Sequence, residues 1–236
     1  MIHTVTETGS TSADLAARLR AGERVAEGDW LVADRQVAGR GRQGRPWQDA
    51  SGNFMGSTVV HPGPGDPPAH TLTLATALAA YEAVVPLLSD PRALAIKWPN
   101  DLLLGGAKLS GILLEREGDA VVVGIGINLA QAPDLPDRPT VALSDLGPAP
   151  DRDAFAITLA AAFDREIERW RTFGIEPLIR RWLAVAHPLG TPLKVHDADG
   201  VPTYGTFAGL APDASLLLLL EDGTTRVIHA GDVTLG

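Results

Sequence analysis

A few residues after the apolar run Trp30-Leu31-Val32-Ala33-Asp34, the chain reads Gly39-Arg40-Gly41-Arg42-Gln43-Gly44-Arg45-Pro46-Trp47. No helix or strand runs comfortably through such a segment, because its glycines loosen the backbone and Pro46 removes a donor. The stretch is therefore a loop hung on a buried strand, and the fold must leave space around it. Arg40, Arg42 and Arg45 offer planar, permanently charged forks suited to phosphate or carboxylate. In a chain of formal charge −9, this cationic cluster reads as a site for a small anion. Gly39-x-Gly41-x-x-Gly44 also fits the dinucleotide fingerprint, but no helical period follows it, which argues against that fold. A solvated surface loop is the plainer alternative on this stretch alone.

The 236 residues suffice for one large domain and a small one. The absence of cysteine excludes disulfides, thiolate metal sites and cysteine nucleophiles, and it fits a reducing cytoplasm. No apolar run approaches the roughly 20 residues of a membrane span. The start, Met1 to Glu7, lacks the basic and apolar regions of a signal peptide. An isoelectric point near 5.1 argues against non-specific nucleic-acid binding.

In chain order, Leu15 and Leu19 share a helical face, with Ser12 or Thr11 as the expected N-cap. Asn53 to Val60 reads as a strand weakened or bulged at Gly56. Thr71 to Leu88 reads as a buried helix stressed near Pro86. Ala93 to Trp98 is a strand stopped by Pro99, and Leu102 to Leu104 and Lys108 to Glu115 form a hairpin about Gly105-Gly106. Val121 to Ile127 is another buried strand, reached by a turn at Glu117-Gly118-Asp119. Residues 130–150 read as loop, with a short ordered piece near Leu143. Asp151 to Phe173 is amphipathic, with Phe155, Leu159, Phe163, Ile167 and Trp170 in a stripe that Gly174 ends. A shorter helix carries Leu178 and Trp182. His187-Pro188-Leu189-Gly190 reads as a boundary that divides residues 1–187 from 188–236. Beyond it, turn signals at Ala198-Asp199-Gly200, Ala211-Pro212-Asp213 and Asp222-Gly223 suggest a small barrel of about five strands.

Two further motifs end strands with polar groups: Lys97-Trp98-Pro99-Asn100-Asp101 and Gly124-Ile125-Gly126-Ile127-Asn128. A third, Lys108-Leu109-Ser110-Gly111-Ile112-Leu113-Leu114-Glu115, opens on a lysine, which by itself reads as an ordinary edge residue. The histidines lack metal-ligand spacing and there is no nucleophile elbow. Cations and amides without a protein nucleophile suit a reaction in which two substrates attack each other. The protein then positions them and stabilises charge, as carboxylate adenylation requires.

Taken in order, Gly9-Ser10-Thr11-Ser12, the arginine loop, Lys97 to Asp101, Lys108 to Glu115 and Gly124 to Asn128 closely resemble the biotin protein ligases, also called biotin–[acetyl-CoA-carboxylase] ligases. The resemblance covers essentially the whole chain. It implies an α+β fold: a mixed sheet with flanking helices, related to class II aminoacyl-tRNA synthetases, followed by a small SH3-like barrel. It implies that biotin and MgATP give biotinyl-5′-AMP and pyrophosphate, and that the adenylate then acylates one lysine of a biotin carboxyl carrier domain. ATP, magnesium and biotin are then substrates, and no prosthetic group is implied.

Carried onto this chain, the resemblance assigns the biotin ureido end to Ser10, Thr11 and Ser12, with Ser12 standing where the family has asparagine. Gln36, Gly39, Gly111 and Ile112 complete the biotin pocket. Arg40, Gly41 and Arg42 close over the carboxylate and phosphates, and Lys108 bridges the two as the essential lysine. Trp47, Lys97, Asn100 and Asn128 fall on the ATP side, with Asp101 as a magnesium ligand. Ser10 lies so close to Met1 that no helix-turn-helix head is expected, hence no DNA binding; a homodimer stays open. The rival expectations are a lipoate–protein ligase and a non-catalytic regulator that binds biotin or a nucleotide.

Overall fold

The structure is a computed structural model and describes residues 1–48, 50–196 and 202–236. The chain lays down β1 (Ile2–Thr8), α1 (Thr11–Arg20), β2 (Trp30–Gln36) and β3 (Phe54–Val60), then α2 (Leu72–Val84). β4 (Leu94–Lys97), β5 (Asp101–Leu104), β6 (Ala107–Glu117) and β7 (Ala120–Ile127) follow, then α3 (Arg152–Phe173) and α4 (Ile175–Ala184). These strands form one mixed sheet in the order β1-β2-β3-β7-β6-β5-β4, in which only β1 and β2 pair in parallel.

Strand alternation sends side chains to two faces. On one, Val59 and Val122 pack with Leu15 of α1 in a small cluster. On the other, Val60, Val121 and Val123 join the main core under α2, α3 and α4. The α3 stripe supplies much of that core, and Phe163 meets Trp30 edge-on at 5.3 Å. Asp151 caps α3 by accepting from Ala154 N, and Gly174 ends it with φ 73°. α2 stops at Val84, and a 3₁₀ turn takes Pro86, which cannot donate to the helical ladder.

Three expectations are corrected. Ser10, not Thr11 or Ser12, is the N-cap of α1, accepting from Ala13 N at 3.4 Å. β3 keeps an unbroken register against β7 through Gly56, so there is no bulge. A Cβ at Gly56 would meet the Phe54 ring at 2.6 Å, so the glycine makes room for an aromatic. Residues 2–8, assigned no element from the sequence, form the edge strand β1; its mostly exposed side chains give it no apolar period.

The remaining strands, β8 (Pro192–His196), β9 (Pro202–Leu210), β10 (Leu216–Leu219), β11 (Thr225–Ile228) and β12 (Asp232–Leu235), form an antiparallel sheet in the order β11-β10-β9-β8-β12. This is the SH3-like unit. The turn expected at Ala198-Asp199-Gly200 lies outside the described residues; those at 211–213 and 222–223 are present. Phe207 of β9 packs on Trp182 at 6.4 Å and on His187 at 4.4 Å, which joins the two sheets through one apolar seam. Among the described residues no helix is long and apolar enough to cross a membrane.

Candidate active site

On the α1 face of the large sheet, small residues leave the backbone bare. Gly111 of β6 pairs with Gly126 of β7, and Leu113 with Gly124. A Cβ at Gly126 would lie 2.3 Å from the Trp47 indole, and one at Gly124 would lie 2.5 Å from Ser12 Oγ. At Gly111 the nearest atoms would be Trp47 Cζ3 at 3.0 Å and Lys108 Nζ at 3.2 Å. Glycine in a strand interior weakens it, so its repetition marks a close approach by another group. The result is a cavity of about 260 Å³ with a flat floor.

One end of the cavity is a hydroxyl network. Thr11 donates from its backbone N (2.7 Å) and Oγ1 (3.0 Å) to Gln36 Oε1. Having spent its proton there, Thr11 Oγ1 accepts from Ser57 Oγ at 2.7 Å, and Ser57 in turn accepts from Ser12 Oγ at 2.9 Å. The relay runs Ser12 to Ser57 to Thr11 to Gln36, and it leaves Ser12 Oγ lone pairs for a ligand N–H. Gly39 sits behind it, where a Cβ would lie 2.9 Å from Trp47 O and 3.2 Å from Gln36 Nε2.

The other end is ionic. Asp101 is 4% exposed and lies between Lys108 Nζ (2.7 Å to Oδ1) and Lys97 Nζ (3.1 Å to Oδ2). Burial pushes its carboxyl up, but the charges of Lys108 and then Lys97 outweigh that and hold it below the usual carboxylate range. The trio carries a net charge of about +1, presented to the cavity through the half-buried Lys108. Lys97 does not line the cavity; its ammonium turns away and donates to Val233 O at 2.7 Å. Both Asp101 oxygens already face ammonium groups, so a magnesium ion there would have to displace a lysine. Among the described residues no group of three or more His, Asp or Glu side chains is placed to hold a metal.

The arginine loop folds over this cavity as a short hairpin. Trp47 N donates to Gly39 O and Gly41 N to Arg45 O, while Gln43 (φ 57°) and Gly44 (φ 72°) make the turn. Arg40 and Arg42 line the cavity from it. Arg42 donates to Asn100 Oδ1 (3.1 Å) and to Gly231 O (3.3 Å), and burial lowers its pKa against the opposing pull of Asp232 and Asp101. Trp47 lies between the hydroxyl end and Lys108, with the Lys108 ammonium 6.0 Å from its ring, so it belongs to the middle of the cavity. Asn100 and Asn128 are struts that also reach the cavity wall. Asn100 Nδ2 donates to Ile112 O (2.7 Å), and Asn128 Nδ2 donates to Val141 O (3.1 Å). Ile112 alternates with Gly111, so its side chain points to the opposite face and Leu113 takes the place beside the glycine floor.

Sequence reasoning missed Ser57, Arg138 and Asp232. Ser57 is itself fully buried, inside a strand whose residues are all buried. Arg138 comes from the loop after Asn128, where it pairs with Asp137 at 2.6 Å. Asp232 starts β12 and pairs with Arg45 of the hairpin at 2.6 Å, with Arg138 4.0 Å away. The C-terminal sheet thus supplies a carboxylate that holds the arginine hairpin down.

Comparison with known proteins places the sequence and the fold in one family. The model of the biotin/lipoate A/B protein ligase family matches residues 10–130. The biotin–[acetyl-CoA-carboxylase] ligase of Paracoccus denitrificans is 39% identical over 218 residues, 88% of this chain and 90% of that protein. The ligase of the same description from Mycobacterium tuberculosis is 37% identical over 238 residues, 97% of this chain and 86% of that one. The biotin protein ligase from Aquifex aeolicus, solved in complex with biotin and ATP, superposes with a TM-score of 0.86 at 27% identity. That superposition covers 100% of this chain and 98% of the other.

Proposed function

This chain belongs to the biotin/lipoate A/B protein ligase family, and from that premise we infer how its cavity performs biotin ligation. The chain is a biotin protein ligase that uses ATP. Biotin is an apolar bicycle with a polar ureido edge at one end and a carboxylate at the other. The arrangement that supports the reading best is the glycine-floored slot, with a hydroxyl relay at one end and the Lys108–Asp101–Lys97 trio at the other.

The ureido edge takes Ser12, Ser10, Thr11 and the Gln36 amide; the bicycle lies against the Trp47 indole, which itself rests on Gly111 and Gly126. The carboxylate then reaches Lys108. Biotin's carboxylate oxygen attacks the α-phosphorus of MgATP, the P–O bond to pyrophosphate breaks, and pyrophosphate leaves with the electron pair. Charge grows on the α-phosphoryl oxygens, toward which Lys108, Arg40 and Arg42 supply positive charge, and Arg138 adds a further guanidinium to the cavity lining. Asp101 positions Lys108, and Lys97 offsets the pull of Asp101 on it. Asn128 stands with the loop at 139–141 on the ATP side. In the second half-reaction a carrier-protein lysine takes the acyl group and AMP leaves. We assign residues 1–187 to the catalytic part and 188–236 to the unit that latches the arginine hairpin through Asp232. Dependence on ATP and on a carboxylase partner supports a cytoplasmic setting.

The relay also bears on the lipoate alternative. Lipoate has no ureido group, so it brings no N–H to the Ser12 Oγ lone pairs and would forgo such ligand hydrogen bonds, each worth about 0.5–1.5 kcal/mol. The test is transfer of labelled biotin to a purified carrier domain. Label should appear on the carrier with ATP and not without it, and lipoate should not substitute. Label on the carrier only with lipoate, or none with either, would overturn the reading.

A further inference from the structure

A second cavity, of about 240 Å³, opens on the opposite face of the large sheet, at the seam between the start of α2, the β4–β5 turn and the C-terminal sheet. It shares Arg42, Asn100 and Ile112 with the first, so the Arg42–Asn100 hydrogen bond is the partition between them. Its walls are apolar: Leu74, Trp98, Ile112 and Leu114. Its mouth is polar. His70 Nε2 meets Asp213 O at 2.9 Å, and Ser215 Oγ meets His229 Nδ1 at 2.8 Å. Ser215 N donates to Asp213 Oδ1 at 3.0 Å, and this bond holds the Asp213 carboxyl below its ordinary value.

The groove therefore runs from a carboxylate at the rim, along an apolar passage, to a guanidinium at its inner end. A nucleotide gains nothing from that order, since its phosphates would pass Asp213 first. A lysine side chain fits it: the ammonium is drawn to Asp213, the methylenes pass along the apolar walls, and the cations Arg42 and Lys108 ahead disfavour the charged form. The hairpin covers the main cleft while Arg45 pairs with Asp232, whereas the inner end of this groove is closed by the Arg42–Asn100 side-chain hydrogen bond, which must part to admit the incoming chain.

We propose that this groove admits the acceptor lysine of the carrier protein to the adenylate, a reading that rests on the ligase assignment above. The ammonium releases a proton to water at the mouth of the groove as it advances, and the nitrogen lone pair forms a bond to the biotinyl carbon. The bond from that carbon to the phosphate oxygen breaks, AMP departs with the electron pair, and the new amide nitrogen passes its second proton to water.

Two variants test it in the full chain: Leu114→Trp, which fills the passage, and Asp213→Asn, which removes the charge at the mouth. Three rates are read: biotin-dependent ATP–pyrophosphate exchange, transfer from preformed adenylate to a carrier domain, and capture of that adenylate by hydroxylamine. Leu114→Trp should slow transfer to the carrier by about tenfold or more, equivalent to about 1.4 kcal/mol of barrier, while exchange and hydroxylamine capture stay within about twofold. Retained exchange also shows that the variant folds. Asp213→Asn should raise the carrier concentration at half-maximal rate several-fold. Unchanged transfer in both variants would overturn the proposal. So would a parallel loss of exchange with a raised KM for ATP, which would assign the groove to the nucleotide. Failure of the unmodified chain to exchange pyrophosphate would instead overturn the ligase reading.

Discussion

Replacing Lys108 with alanine is expected to lower biotin-dependent ATP–pyrophosphate exchange by about 10²–10³ while leaving biotin binding within a few-fold of the parent, as removal of one donor aimed at developing charge does elsewhere. The reason is the charge balance at Asp101. With both lysines present the trio presents about one positive charge to the cavity; without Lys108 the remaining pair is neutral and faces away, toward Val233 O. Folding should survive, because Asp101 keeps Lys97 at 3.1 Å and is not left as an unpaired buried charge. Biotin binding should survive because the hydroxyl relay and glycine floor are untouched. Exchange rates and calorimetric biotin titration read the two effects separately. A variant that exchanged within tenfold of the parent would remove Lys108 from the chemistry, and one that lost biotin binding in proportion would make it a ground-state contact.

The second large effect concerns pH and the seam between the sheets. His187 is 5% exposed and packs against Phe207 with ring centroids 4.4 Å apart and planes inclined at 59°. Among the described residues neither ring nitrogen has a well-formed partner, beyond a weak approach to the backbone of Pro188. Burial, and then the charge of Lys97, pushes its pKa down to about 4 from the usual 6.5. Between those values the unfolded chain binds a proton that the folded chain refuses. The stability is therefore fully present above pH 6.5 and is lost as pH falls toward 4. A shift of that size corresponds to about 3 kcal/mol in full, and about 2 kcal/mol of it should disappear between pH 7.5 and 5. His187→Phe keeps a ring against Phe207 and removes the titration. In urea unfolding at the two pH values, the parent should lose about 2 kcal/mol more than the variant. Equal losses would show that the imidazole is already solvated or paired.

The residues legible in the sequence share one property: their role shows in local backbone chemistry. The arginine hairpin has to turn at Gln43-Gly44, the β5–β6 hairpin at Gly105-Gly106, and α3 carries its own cap and stripe. Lys108 was legible only through the resemblance, since a lysine opening a strand looks like any edge residue. What stayed hidden depends on pairings made far along the chain. Ser57 is one of two hydroxyls in an otherwise apolar strand, and only the register with β7 and the docking of α1 turn it toward Thr11 and Ser12. Asp232 meets Arg45 across 187 positions of sequence. The resemblance puts Lys97 on the ATP side, with Asp101 as a magnesium ligand. Strand pairing instead buries both, and the ammonium reaches for a carbonyl of the C-terminal sheet. Trp47 was read toward ATP, but the glycines at 111 and 126 draw its indole onto the floor of the slot.

The protein contributes charge and position while the two substrates react directly with each other. Acid-quenching the enzyme after mixing with labelled biotin and MgATP, in the absence of carrier, tests this most directly. The label should be recovered as biotinyl-5′-AMP released from a polypeptide of unaltered mass. A polypeptide carrying the biotinyl or adenylyl group, formed at the rate of pyrophosphate release, would contradict it.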